Sequence, residues 1–152
     1  MTHDTLVLGG GPLGLALAAA LAERDPSVAF VDGAAMATRA RAAGLTAHES
    51  TLETAASAVD APVETVVVAT DSDARNLLLA AAAPRELGAD TVVALLNDPD
   101  RRAAFDDAGI ETVCVSEAVA RATAESVVLD AALPSTEATE AAEGRERTRL
   151  RG

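Results

Sequence analysis

The sequence contains no tryptophan, no tyrosine and no lysine, and it has one cysteine and two phenylalanines. Each absence removes a class of function. Without lysine there is no P-loop, whose glycine-rich turn must end on that side chain to reach the phosphates. Without tyrosine or lysine, a reductase that draws its proton from a Tyr/Lys pair is excluded. Cys114, standing alone, rules out an internal disulfide framework and makes a reducing cytosol the expected compartment. Set between Val113 and Val115, it reads as a buried strand residue and not as a nucleophile. No His, Cys and carboxylate set has metal-ligand spacing, so no metal centre is expected. No signal peptide is expected at the N-terminus, and no apolar run reaches the ~20 residues of a bilayer span.

What remains is a chain of 152 residues, long enough for one domain with a substantial core. That core must be built from alanine, valine and leucine, which suits helices packed closely on a parallel sheet. The formal net charge is −12, and all twelve basic residues are arginine. An acidic surface repels phosphates, so neither nucleic acid nor direct membrane insertion is expected. Acidity, lysine absence and abundant alanine together point to adaptation to high salt.

The chain is organised around Thr5-Leu6-Val7-Leu8-Gly9-Gly10-Gly11-Pro12-Leu13-Gly14. An apolar run suited to a strand buried on both faces leads into glycines spaced G-x-G-x-x-G, and a helical pattern follows from Leu15 to Glu23. Gly9 permits the tight turn, Gly11 lets the backbone approach a pyrophosphate, and Gly14 allows helix and strand to pack closely. Pro12 fits the first helical turn, where its missing N–H costs nothing. The helix then offers its free N–H groups to phosphate. Asp32 closes the next strand, Val28–Asp32, 18 positions after Gly14, where a ribose-binding acid belongs. A carboxylate there accepts from both ribose hydroxyls and repels a 2′-phosphate, so NAD(H) or an adenine nucleotide (ATP, ADP or AMP) is favoured over NADP(H).

The rest of the chain alternates strand and helix. A helix is expected over 34–43, a short strand over 45–48, a brief helix over 52–59 capped by Ser50 or Thr51, and a strand over 65–69. Helix 74–86, strand 91–96, helix 99–108, strand 110–115 and a last helix from a Ser116 cap to about Leu129 follow. Asp71/Asp73 and Asp98/Asp100 read as helix caps. The predicted fold is α/β, a Rossmann-like doubly wound parallel sheet of six strands in the order 3-2-1-4-5-6, with helices on both faces. Ligand then binds where the order reverses, among Gly9–Gly14, Asp32, the Ala47–Ser50 loop and Ala69–Asp73. His48, at the end of the third strand, lies close enough to that crevice to count among its contacts. Residues 1–133 form the expected nucleotide-binding domain, and 134–152 a polar, mobile tail.

These residues resemble the nucleotide-binding N-terminal (RCK or KTN) domain of Trk-type potassium-uptake regulators. The likeness runs from about Thr5 to Val128 and includes the glycine loop and Phe30-Val31-Asp32. It also includes Val67-Val68-Ala69-Thr70-Asp71-Ser72-Asp73 with Asn76, Leu96-Asn97-Asp98-Pro99 and Ala108-Gly109-Ile110. The resemblance implies a regulatory module that binds NAD(H), ATP or ADP, dimerises, and assembles into rings that gate a potassium channel or transporter. Carried over by position, Gly9, Gly11, Pro12, Leu13 and Gly14 would hold the phosphates and Asp32 the ribose. His48 and Glu49, then Ala69, Thr70, Asp71 and Asn76, would flank the adenosine from the loops after strands 3 and 4. Ser116 to Leu129 would help form the dimer contact. The family usually has Gly-Asp-Ala-Thr/Ser where this chain has His48-Glu49-Ser50-Thr51. Neither a C-terminal ligand domain nor a transmembrane pore is expected, so transport would be regulated in trans, from the cytoplasm, through a potassium- or cation-transporter membrane subunit.

Three functions compete: a nucleotide-responsive regulator of cation transport, a nucleotide-binding module with another partner such as a phosphoesterase, and a small NAD-dependent oxidoreductase. The last needs a catalytic acid that the sequence does not offer, so no enzyme is expected. The salt adaptation has its own test. With its carboxylates unscreened, the chain is expected to lose helical circular dichroism on dialysis into low salt; full retention of the signal would refute the adaptation.

Overall fold

The structure, a computed structural model, describes residues 3–132, so the predicted tail at 134–152 lies outside the described residues. Strand β1 (Thr5–Leu8) leads into helix α1 (Gly11–Ala22), and β2 (Val28–Asp32), α2 (Ala34–Ala42) and β3 (Thr46–Glu49) follow. A 3₁₀ turn (Leu52–Thr54) runs into the single-turn helix α3 (Ala55–Ala58) before β4 (Thr65–Val68) and α4 (Asp73–Leu87). Then come β5 (Thr91–Leu96), a second 3₁₀ turn (Pro99–Arg101), α5 (Arg102–Asp107), β6 (Glu111–Cys114) and α6 (Val115–Ala132). All five strand pairings are parallel. The order is β3-β2-β1-β4-β5-β6, as the sequence predicted.

The strands are apolar because both faces of the sheet are covered. Alternate residues divide between two cores. Leu6, Leu8, Ala29, Val31, Val66 and Val68 meet Ala80, Ala83 and Leu87 of α4 and Phe105 of α5. Val7, Phe30 and Ala47 face the other way, with Ala18 of α1 and Ala37 and Ala40 of α2. Each core holds one phenylalanine, fully or almost fully buried, and alanines let the helices approach between them. Cys114 is buried, as its apolar neighbours implied.

Among the described residues, 3–115 form one compact unit, and those from Ser116 belong to a second. Helix α6 is the described part of that second unit, and Val119, Val127, Val128 and Leu129 on it are exposed. It begins at Val115, one residue before the predicted Ser116 cap. Helix α1 begins at Gly11, with Pro12 in its first turn as expected, and Gly10 at φ 98° stands as its N-cap. That left-handed backbone is open to glycine and strained for other residues. A Cβ on Gly10 would lie 2.7 Å from the Ala69 carbonyl oxygen. At Gly14 the constraint is space: a Cβ would fall 1.8 Å from the carbonyl oxygen of Gly9.

The C-terminal ends of β4 and β5 are fastened by side chains. The β4–β5 ladder reaches Val68 opposite Ala94, and there Asn76 of α4, fully buried, extends it. Its Nδ2 donates to the carbonyls of Thr70 (2.9 Å) and Leu95 (2.9 Å). Its Oδ1 accepts from the Thr70 amide (3.1 Å) and the Thr70 hydroxyl. Asp73 does the same for the loop after β5, accepting from the amides of Asn97 (2.7 Å) and Asp98 (2.8 Å) and from Asn97 Nδ2 (3.0 Å). The predicted capping role of Asp71 and Asp73 is therefore corrected. Ser72 caps α4, its Oγ accepting from the Arg75 amide at 3.2 Å, while Asp73 bridges two loops. Asp98 does cap the second 3₁₀ turn, accepting from the Asp100 amide at 3.0 Å.

Two substitutions test these devices. Gly14→Ala is expected to destabilise the fold by about 3 kcal/mol in denaturant titration, at or above the usual range for overpacking. Gly33→Ala, whose Cβ meets nothing within 4 Å, is expected to cost under about 1 kcal/mol. Equal midpoints for Gly14→Ala and wild type would show that α1 can move off β1 freely. Asn76→Ala orphans the Thr70 amide and the Leu95 carbonyl, and about 3 kcal/mol should be lost, from roughly 1–3 per unsatisfied buried group. A cost below about 1 kcal/mol would mean that water replaces the amide.

Candidate functional site

The sheet order reverses between β1 and β4, and a crevice outside their C-terminal ends follows from that topology. Two cavities occupy it. The smaller, about 280 Å³, is lined by Gly9, Gly10, Gly11 and Pro12 on one side and by Thr70 and Asp71 on the other. The larger, about 570 Å³, is lined by Gly33 and Ala34 after β2 and by the run from Glu49 to Glu53 after β3. Asp32, Leu52 and Arg75 line both, so the two form one continuous groove.

Asp32 stands where the cavities meet. Its Oδ2 accepts from the Gly11 amide at 3.1 Å and its Oδ1 from the Gly33 amide at 2.8 Å. The carboxylate is thus aimed by the first turn of α1 and by the start of α2, and only partly buried. Gly11 itself would place a Cβ in open space, on the side from which a phosphate would approach the helix N-terminus.

Arg75 faces this acidic groove as a cation. Its Nε donates to Glu53 Oε2 at 2.8 Å and its Nη2 to Glu53 Oε1 at 3.1 Å, a two-pronged pair. Hydrogen bonding to Arg75 holds the Glu53 carboxyl below its ordinary pKa, and the same bond raises that of Arg75. Both side chains are about half exposed, at 56% and 44%.

Of the residues singled out from sequence, Gly9, Gly11, Pro12, Asp32, Glu49, Thr70 and Asp71 come together around the groove. Gly14 and Ala69 lie buried behind it, and Leu13 is exposed on the first turn of α1. Asn76 spends its amide on the backbone of Thr70 and Leu95. His48 turns to His3, the two Nε2 atoms 3.4 Å apart. Burial, then the charges of His3 and Arg41, lower its pKa, and Asp60 opposes them. Gly33, Ala34, Leu52, Glu53 and Arg75 were not read from sequence as part of the site. One signal could have found Arg75: it sits in the first turn of α4, where the helix dipole disfavours a cation, so it needs a reason to be there. Among the described residues no group of three His, Cys, Asp or Glu could hold a metal ion, and no helix is long and apolar enough to cross a membrane.

Comparison with known proteins agrees with this geometry. The NAD(P)-binding domain of an exopolyphosphatase-related protein from Archaeoglobus fulgidus superposes with a TM-score of 0.69 at 20% identity, over 82% of this chain and 97% of that one. The TrkA-N domain of the inner membrane protein YbaL from Escherichia coli superposes with a TM-score of 0.66 at 16% identity, over 82% and 96%. No curated protein matches the sequence. The TrkA-N domain profile matches residues 5–116, spanning the glycine loop, Asp32 and all six strands, and the chain belongs to that family.

Proposed function

We propose that this domain binds a nicotinamide dinucleotide, NAD(H) in preference to NADP(H), and acts as a regulatory module of cation transport without catalysing a reaction. The observation that carries the reading is the position of Asp32. Its carboxylate bridges the Gly11 and Gly33 amides at the junction of the two cavities. A dinucleotide whose pyrophosphate lies along Gly9–Pro12 would bring a ribose to that point, where a carboxylate accepts from two hydroxyls and repels a 2′-phosphate. On the side after β2 the lining is small, with Gly33 and Ala34 leaving room for the ring system in the larger cavity.

The regulatory part of the reading rests on family membership and on the absence of lysine and tyrosine from the 152 residues. Ligand would shift the population between assembly states in a cytoplasmic homodimer or ring that acts on a potassium- or cation-transporter membrane subunit. Val119, Val127, Val128 and Leu129 of α6 are exposed apolar side chains that such self-association would cover. A second reading, a nucleotide-binding module serving a phosphoesterase, draws support from the Archaeoglobus fulgidus neighbour.

Thermal unfolding in molar KCl tests the binding. With NAD, NADH, NADP, ATP, ADP and AMP each at about a millimolar, a ligand with a Kd near ~10 μM stabilises the fold by about 2.7 kcal/mol, by mass action. NAD or NADH is expected to raise the midpoint, NADP to do so less, and Asp32→Ala to abolish the rise. A midpoint unmoved by every nucleotide would overturn the proposal.

A further inference from the structure

Four carboxylates, Asp32, Glu49, Glu53 and Asp71, line the groove, and Arg75 stands among them. A pyrophosphate would add two negative charges to this setting. The Gly11 amide, at the N-terminus of α1, already donates to Asp32. Arg75 is a cation that lines both cavities.

The guanidinium of Arg75 does not point idly into the groove. Its Nε and Nη2 are taken by the two oxygens of Glu53 at 2.8 and 3.1 Å. A guanidinium fork fits two oxygens of a phosphate as well as those of a carboxylate. Glu53 therefore holds the fork with the geometry a phosphate would adopt. The pair is half exposed, so solvent and salt screen it and leave it open to competition by another anion. Glu53 belongs to a 3₁₀ turn of three residues, a small element to displace.

We propose that Arg75 is the phosphate-binding residue of this site and that Glu53 is its placeholder, exchanged for the pyrophosphate when a dinucleotide binds. This rests on the nucleotide-binding reading above. No covalent step is involved; one anion replaces another in the same fork. Two consequences distinguish the exchange from a plain contact. Affinity depends on Arg75 for phosphate-bearing ligands and not for adenosine. Removing the placeholder's charge strengthens binding, because the ligand no longer competes with Glu53.

Isothermal titration calorimetry with NADH, ADP, adenosine and NADPH, at one fixed KCl concentration, tests this on wild type, Arg75→Ala, Glu53→Gln, the double variant and Asp32→Ala. Arg75→Ala should weaken NADH and ADP by at least about tenfold, the loss of one charge-assisted bond, and leave adenosine within about twofold. Glu53→Gln should tighten NADH several-fold, and the double variant should show no such gain. Glu53→Gln is nearly isosteric, so it decides the matter even if Arg75→Ala folds poorly. If Arg75→Ala binds NADH like wild type while Asp32→Ala does not, the nucleotide reading stands and the exchange falls. Weakening of NADPH alone would make Arg75 a reader of the 2′-phosphate, and equal weakening of adenosine would make its role structural. Loss of NADH affinity in Glu53→Gln would make Glu53 a ligand contact. Each of these overturns the exchange. Failure of wild type to bind any nucleotide would overturn both proposals.

Discussion

The backbone contact between Gly9 and Gly14 is the constraint on which the other features of the site depend. The carbonyl oxygen of Gly9 lies within 1.8 Å of where a Gly14 side chain would begin, so helix α1 can rest directly against the end of β1. That approach turns the first turn of α1 toward the crevice and brings the Gly11 amide to Asp32. It also presses Gly14 toward the edge of the Phe30 ring. A single methyl group at this point would separate strand, helix and second strand together. The glycine loop is thus a packing device first, and the shape of the groove follows from it.

The two cores show how a chain poor in aromatics closes a six-stranded sheet. Phe30 fills the face covered by α1 and α2, and Phe105 fills the other, opposite α4. Elsewhere alanine meets valine and leucine, and layers stay thin. Large buried apolar side chains would each contribute about 1.5–3 kcal/mol, whereas alanine adds less burial but costs no side-chain entropy. Stability is spread over many close contacts, which leaves each glycine and alanine at an interface sensitive to any added volume.

Much of this architecture was legible from the chain alone, because its signals are local. Apolar runs marked β1, β2, β4 and β5, the first two closed by Gly9 and Asp32. The spacing from Gly14 to Asp32 placed the crevice. What stayed hidden depends on contacts between distant residues. Arg75 meets Glu53 across 22 positions and His48 meets His3 across 45, and no periodicity announces such pairs. Asn76 shows a different limit. Motif likeness placed it among ligand contacts, yet its amide is occupied by Thr70 and Leu95. A polar side chain at a site can serve the backbone that frames the ligand, and sequence spacing alone does not separate the two uses. Pro12 marked the first turn of α1, whereas the capping role of Gly10 shows only in its backbone conformation.

The fastening at the ends of β4 and β5 has a mechanical meaning. Asn76 ties Thr70 to Leu95, Asp73 ties the start of α4 to Asn97 and Asp98, and Asn97 Nδ2 returns to the Thr70 carbonyl at 3.1 Å. The bonds form closed circuits, and closed circuits leave no free joint. The loops after β4 and β5 therefore behave as one stiff bracket. Opposite them lies a wall of different build, the short segment after β3, seated in the core by Leu52 and joined across the groove by the exposed Glu53–Arg75 pair. One jaw of the crevice is closed by buried hydrogen-bond circuits, and the other meets its neighbour through a solvent-exposed ion pair.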